Sequence, residues 1–259
     1  MPSTNIPSFI IEGCTVEDAP DLAYTNGTAC WEQYMWRTIR PKDKSREFVL
    51  ESLAKVLPMR LLSDRDTTRH VKAVDIETGT IAGYVRWSFP EGLLEKQSSD
   101  GVKWLSAQVP STSPSEYERY KAMMDSAWWE IREDLAPLEE VQEAEKNALI
   151  GSRSFVCKFS IYFGLIARLT MVLSPVLDLL AVHPNFQRKG IATALVQDGI
   201  QHIKKLNIPI FLQAWKGGSE VYQKSGFIEI GRSIQDDTAY GGDGEYGAYF
   251  MMYESSAQE

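Results

Sequence analysis

The stretch Leu177–Ala192, LDLLAVHPNFQRKGIA, decides the reading of this chain. An apolar run (Leu177, Leu179, Leu180, Ala181, Val182) stops at His183-Pro184. A short polar loop carrying Arg188 and Lys189 follows, and Gly190 opens a segment with helical periodicity. Strand, basic glycine loop, helix: this order gathers free backbone N–H groups and a helix N-terminus around one point, an arrangement suited to phosphate. It is not a P-loop, because GxxxxGKS/T is absent, and not a dinucleotide fingerprint, because GxGxxG is absent.

Downstream residues extend the pattern. Ala192, Leu195, Gly199, Ile203 and Leu206 recur at helical spacing, with Gln197, Asp198, Gln201 and Lys204 between them, so the loop feeds an amphipathic helix. Pro209-Ile210-Phe211-Leu212 reads as a short buried strand. The segment Ser219–Phe227 ends as Y-x-x-x-G-F, in which Gly226 suits the left-handed residue that closes a helix and Phe227 begins a strand.

Upstream, Phe9-Ile10-Ile11 reads as a first strand, and Thr15-x-x-Asp18 as the cap of a helix through Leu22 and Ala23. Arg46 to Leu62 reads as a second amphipathic helix. His70–Asp75 and Ile81–Trp87, joined at Glu77-Thr78-Gly79, carry a hairpin signal. Final strands are expected at Phe227–Arg232 and Ala248–Tyr253, joined by the loop Tyr240-Gly241-Gly242-Asp243-Gly244.

Two segments interrupt this sequence of elements. Residues 91–150 form a polar insertion, loop-like at Ser98–Gly101 and Pro110–Ser115, then acidic and helical from Tyr117 to about Lys146. Trp128-Trp129 in it is expected to pack the insertion onto the body rather than to wall a substrate site. An acidic lid over an acceptor site would favour cationic substrates. The second segment, Cys157–Ser174, CKFSIYFGLIARLTMVLS, is apolar and without an acidic residue. It reads either as an extra helix or strand under the sheet or as a retained intron, since its ends can be encoded with donor and acceptor dinucleotides and its excision leaves the frame intact.

Bulk properties exclude more than they assign. With 259 residues and 44% hydrophobic content, one domain with a sizeable core is expected. A formal net charge of −8 argues against nonspecific nucleic-acid binding and offers no basic face to an anionic membrane. Cys14, Cys30 and Cys157 lack metal spacing and point to reduced thiols, in cytoplasm or nucleus. No signal peptide is legible at the N-terminus, and Arg168, Ser174, Pro175 and Asp178 break the most apolar stretch, so no membrane span is expected. No His/Cys/carboxylate cluster has ligand spacing, so no metal is expected. G-x-S-x-G is absent, which removes the usual hydrolase reading.

The run Val182-His183-Pro184 with Gln187-Arg188-Lys189-Gly190-Ile191-Ala192 resembles the acyl-CoA-binding motif of the GNAT superfamily, the CoA-dependent N-acetyltransferases. That motif is Q/R-x-x-G-x-G/A after a strand ending in V-H-P or similar, and Ala192 is its permitted alternative. The Y-x-x-x-G-F segment resembles the family's next helix. The hairpin, the V-L-D-L-L-A-V-H-P strand and the Y-G-G-D-G loop are most similar to fungal GNAT-domain proteins of unassigned substrate. The resemblance implies a single α/β domain: a mixed, mostly antiparallel central sheet flanked by helices, in the order β-α-α-β-β and then β-α-β-α-β-β.

It also implies acetyl-CoA as cosubstrate, no metal, and a small-molecule or peptide amine as acceptor. The pyrophosphate would lie over Gln187, Arg188, Lys189, Gly190, Ile191 and Ala192, and the pantetheine arm along Leu180, Ala181 and Val182. An N–H of Ala181 or Val182 would polarise the thioester carbonyl. Tyr222 would protonate the departing thiolate, or is a helix tyrosine packed under the loop. Asp178 would act as general base, or is a structural carboxylate. His183 reads as a turn residue, and His70 and His202 as structural. Trp31, Tyr34, Trp36 and Arg37 either shape the acceptor pocket or belong to core and surface. The alternative to an enzyme is a CoA-binding regulatory or interaction module.

Overall fold

The Thr15–Asp18 capping box forms as its spacing predicts, the Thr15 N–H donating to the Asp18 carboxylate at 2.7 Å. It closes on one 3-10 turn, Val16–Asp18, and the helix proper, α1 (Ala19–Trp31), follows with Pro20 in its first turn. The structure is a computed structural model that describes residues 8–95, 103–151 and 174–254. Residues 157–173 of the atypical apolar segment, and Ser98–Gly101 of the insertion, lie outside the described residues.

Strand β1 (Phe9–Gly13) precedes α1, and α2 (Tyr34–Thr38) and α3 (Arg46–Leu62) follow it. Ser45 caps α3 by accepting the Phe48 N–H at 3.2 Å. Next come β2 (Thr68–Asp75), β3 (Ile81–Ser88), α4 (Pro114–Asp125), α5 (Ala136–Gly151), β4 (Val176–Val182) and α6 (Ile191–Ile203). The chain finishes with β5 (Ile210–Ala214), α7 (Ser219–Lys224), β6 (Ile228–Gln235) and β7 (Tyr246–Tyr253). Seven strands form one sheet in the order β1-β2-β3-β4-β5-β7-β6, and every pairing except the parallel β4–β5 is antiparallel. The last two strands run longer than expected because their ladder extends to Gln235↔Tyr246.

The helical stretch expected from Tyr117 to about Lys146 forms as two helices, with the chain leaving helical geometry at Ser126 and resuming it at Glu133. Pro137 lacks the N–H that an internal helix position needs, and it takes the second position of a new helix. The link between them lays its tryptophans on neighbouring elements. Trp128 meets Phe48 of α3 at 5.4 Å, and Trp129 sits 4.1 Å from the Arg40 guanidinium and 4.8 Å from that of Arg60.

Helices cover both faces of the sheet. On one face α6 presents Ile191, Leu195, Val196, Ile200 and Ile203 to Val71, Val85, Trp87, Leu177 and Leu212. On the other, Leu22 and Ala23 of α1 and Leu53, Leu57 and Leu61 of α3 bury Ile81 and Tyr84. Burial on both sides leaves β2 and β3 with no exposed residue, and the polar side chains of β2 find partners there: Arg69 donates to the Lys103 carbonyl at 2.9 Å, His70 meets the Tyr84 hydroxyl, and Lys72 pairs with Asp18 at 2.7 Å. Gly199 lets α6 approach, since a Cβ there would stand 2.2 Å from the Trp87 ring.

Candidate active site

Strand β4 departs from regular pairing at one residue. Trp87 pairs with Leu177 and Arg86 with Leu179, so Asp178 is the extra residue of a β-bulge. Its carboxylate is held from β3: Arg86 Nε donates at 2.7 Å and Ser88 Oγ donates at 2.6 Å. Burial opposes the Arg86 cation, and the facing Asp178 more than offsets it, so the guanidinium pKa is raised. Both Asp178 oxygens thus accept from side chains of β3.

Beyond the bulge the sheet opens. β4 and β5 pair only at Val176↔Phe211 and Leu177↔Leu212, and no pairing continues beyond them. The His183 N–H donates to the Ala82 carbonyl at 2.9 Å. By the two-residue alternation of an antiparallel ladder, Ala181 then spends its N–H on β3, while Leu180 and Val182 turn theirs into the gap. This corrects one expectation: between Ala181 and Val182, only Val182 has a donor facing the gap, and Leu180 joins it. The Val182 carbonyl accepts the Gln187 side-chain amide at 3.2 Å, tying the basic loop to the strand end.

That loop carries two left-handed residues, Arg188 at φ 65° and Gly190 at φ 81°. Successive N–H groups in such a backbone turn to one side and make an anion cradle. Gly190 is the N-cap of α6, so no side chain caps its first N–H groups. A Cβ on Gly190 would touch nothing within 4 Å, so glycine is required by φ and not by space. Gln187, Arg188 and Lys189 are exposed around this opening, with Lys189 Nζ 4.9 Å from the Phe186 ring centre. Ile191 instead packs its side chain into the core, and Ala192 is half-buried.

Tyr222 lies on α7, buried against Phe227 with ring centres 5.9 Å apart. Burial pushes its phenol pKa up. The Tyr222 carbonyl accepts the Phe227 N–H at 3.0 Å, and Gly226 closes the helix at φ 94°, the geometry expected of Y-x-x-x-G-F. His183 is buried at the end of β4, its ring 5.5 Å from that of Tyr24 on α1. Its Nδ1 accepts the Asn185 N–H at 3.3 Å. Burial and the Arg46 charge lower its pKa. His70 pairs with the Tyr84 hydroxyl at 2.7 Å, and His202 stacks on Trp104 at 4.3 Å.

On the far side of α1 a cavity of about 450 Å³ opens between the α1–α2 corner and the β6–β7 loop. Trp31, Tyr34 and Arg37 line it, and Trp36 stands behind Arg40, 4.7 Å from its guanidinium. Sequence reading missed Arg40, Lys42, Lys44 and Arg132 in its wall. Arg40, Lys42 and Lys44 share the loop between α2 and α3, while Arg132 and the facing Gly241 and Asp243 come from far along the chain, so no short motif shows the wall as a whole. Asp237, fully buried, pins the two sides together by accepting from the Tyr34 hydroxyl at 3.0 Å and the Gly244 N–H at 2.7 Å. Among the described residues no group of side chains could hold a metal ion, and no helix is long and apolar enough to cross a membrane.

Known structures share this fold. Residues 138–239, which include β4, α6, β5 and α7, match the family model of the acetyltransferase (GNAT) domain. A structure of histone acetyltransferase HPA2 and related acetyltransferase from Corynebacterium glutamicum aligns over 97% of this chain and 98% of its own, at TM-score 0.52 and 14% identity. This is the GNAT fold. A mosquito arylalkylamine N-acetyltransferase like 5b gives TM-score 0.50 at 13% identity, over 95% of this chain and 100% of its own. No curated protein matches the sequence. Within the GNAT fold, the bulge, the opened strand pair and the uncapped helix follow one another along β4, its loop and α6.

Proposed function

We propose that this GNAT-fold protein is an N-acetyltransferase that moves an acetyl group from acetyl-CoA to a primary amine by direct attack. One observation carries the reading. The N–H groups of Leu180 and Val182, turned away from β3, and the uncapped start of α6 belong to one continuous strand–loop–helix segment, an arrangement suited to an extended amide-and-phosphate ligand. The cradle from Gln187 to Ala192 holds the pyrophosphate at the positive end of α6, with Arg188 and Lys189 adding charge. The exposed edge of β4 pairs with the amides of the pantetheine arm, and the N–H of Leu180 or Val182 donates to the thioester oxygen.

In the transfer the neutral amine attacks the carbonyl carbon, the C–S bond breaks, and the thiolate takes a proton from the Tyr222 phenol. The new amide gives up its extra proton to solvent, and solvent returns one to the Tyr222 phenolate. With both oxygens of Asp178 engaged by Arg86 and Ser88, its contribution is to fix the bulge that aims β4. A covalent acyl-enzyme through the described cysteines is disfavoured, because burial pushes the Cys30 thiol up to about 12 and raises that of Cys14 as well.

A second reading, a CoA-binding module without turnover, draws on the same engagement of Asp178 and on the packing of Tyr222 in the core. Calorimetric titration with acetyl-CoA, with Gly190→Asp as control, tests the first step. Micromolar affinity, about −8 kcal/mol, lost in the variant supports the cradle. Release of free CoA thiol with an amine present then separates enzyme from module. A folded protein that binds no acetyl-CoA would overturn both readings.

A further inference from the structure

The cavity at the α1–α2 corner is basic in a chain whose formal net charge is −8. Arg37, Arg40, Lys42, Lys44 and Arg132 face it against one carboxylate in its wall, Asp243. Some of these cations are already engaged. Lys44 Nζ is 2.7 Å from Asp43, Arg132 forks onto Asp134, and Arg40 lies between Trp36 and Trp129. Arg37 and Lys42 are exposed and form no ion pair among the described residues. Arg37 is aimed by donating to the Trp31 carbonyl at 2.5 Å. Lys42 reaches the opposite wall, its Nζ 2.7 Å from where a Gly241 Cβ would be.

Like charges gathered in a concave wall repel one another and raise the local concentration of anions. An oxyanion entering between Arg37 and Lys42 relieves that repulsion and gains charge-assisted hydrogen bonds. Helix α1 runs from the end of β4 to this cavity. Tyr24 stacks on His183 at the end of β4, and Trp31, in the cavity wall, follows two turns later, about 10 Å along the axis.

We propose that the cavity recognises an oxyanion, carboxylate or phosphate, carried by the amine acceptor on the order of 10 Å from the nitrogen that is acetylated. This rests on the N-acetyltransferase reading. It reverses the cationic preference suggested by the acidic insertion, whose contribution to this wall is Arg132. Free α-amino acids, with amine and carboxylate on one carbon, are too short. An extended tripeptide spans about 10 Å, and so does an amino-alkyl phosphate of matching length.

The test titrates inorganic phosphate and triglycine into the wild type, Arg37→Gln and Lys42→Glu, each with and without saturating CoA. We expect wild-type binding that weakens at least tenfold in Lys42→Glu and falls steeply with salt. With acetyl-CoA, triglycine should be used at least tenfold better than its C-terminal amide, and Lys42→Glu should treat the two alike. A preference for 6-aminohexyl phosphate over triglycine would assign phosphate as the natural oxyanion, and the reverse would assign carboxylate. Equal affinity in wild type and both variants, or equal use of triglycine and its amide by the wild type, overturns the proposal. Failure to bind CoA while phosphate still binds would sink the transferase reading and leave the oxyanion pocket standing. CoA binding with neither phosphate nor triglycine bound would sink the pocket alone.

Discussion

Asp178 Oδ1 stands 2.7 Å from Arg86 Nε across the bulge in the β3–β4 ladder, and both side chains are largely shielded from water. A shielded ion pair contributes little net stability when whole, but removing one partner strands the other charge. Asp178→Ala is therefore expected to lower unfolding stability by about 3 kcal/mol, read from urea midpoints. Replacing both by apolar residues, Asp178→Leu with Arg86→Met, should recover most of that loss. A single variant as stable as wild type would mean that Asp178 does not brace the strand.

Tyr222 gives a kinetic prediction. Burial holds its phenol above the usual value, so the group stays protonated, and able to donate, through neutral and mildly alkaline pH. Activity should then show no fall below about pH 10 from tyrosine ionisation. Tyr222→Phe keeps the ring against Phe227 and removes the proton. The expected result is a loss in kcat of about a hundredfold, with acetyl-CoA affinity within about twofold. Steady-state kinetics beside a calorimetric Kd separates this from a packing role, in which kcat would be unchanged.

His70 makes folding sensitive to acid. Burial first, then the Arg86 and Arg69 charges, hold its pKa at about 3, whereas an unfolded histidine titrates near 6.5. The native ring stays neutral while the unfolded chain takes up a proton. The stability it contributes is present above pH 6.5 and is lost as the pH falls toward 3, by about 2 kcal/mol at pH 5. In His70→Gln this part of the acid limb should vanish from urea midpoints measured between pH 7.5 and 5. The same slope in wild type and variant would assign the acid sensitivity elsewhere.

Much of this was legible because local chemistry dictated it. Gly190 had to be glycine at a left-handed helix start, Gly226 had to close α7, and the spacing of Leu195, Gly199 and Ile203 fixed which face of α6 meets the sheet. Helix α3 and the β2–β3 hairpin lie where periodicity put them. The missed features depend on partners distant in sequence. Asp178 stands out in sequence as a carboxylate on an apolar strand, but its partners, Arg86 and Ser88, are legible only across the ladder. The break between α4 and α5 was signalled by Pro137 but hidden by a continuous acidic pattern. The basic cavity draws on residues 37–44, 132 and 241–243, so whole-chain charge concealed it.

The opening between β4 and β5 has a further consequence, in time instead of space. A backbone N–H locked into a ladder exchanges with solvent deuterium only when the strand opens, whereas one facing a gap needs no such event. Ala181 is bonded toward β3, and its neighbours Leu180 and Val182 face away from it. Three consecutive amides should therefore exchange fast, slow and fast, a rhythm found neither in a fully paired strand nor in a loop. Acetyl-CoA lying along that edge should slow the outer two and leave the middle one unchanged, so the cleft would report its own occupancy in the exchange of two amides.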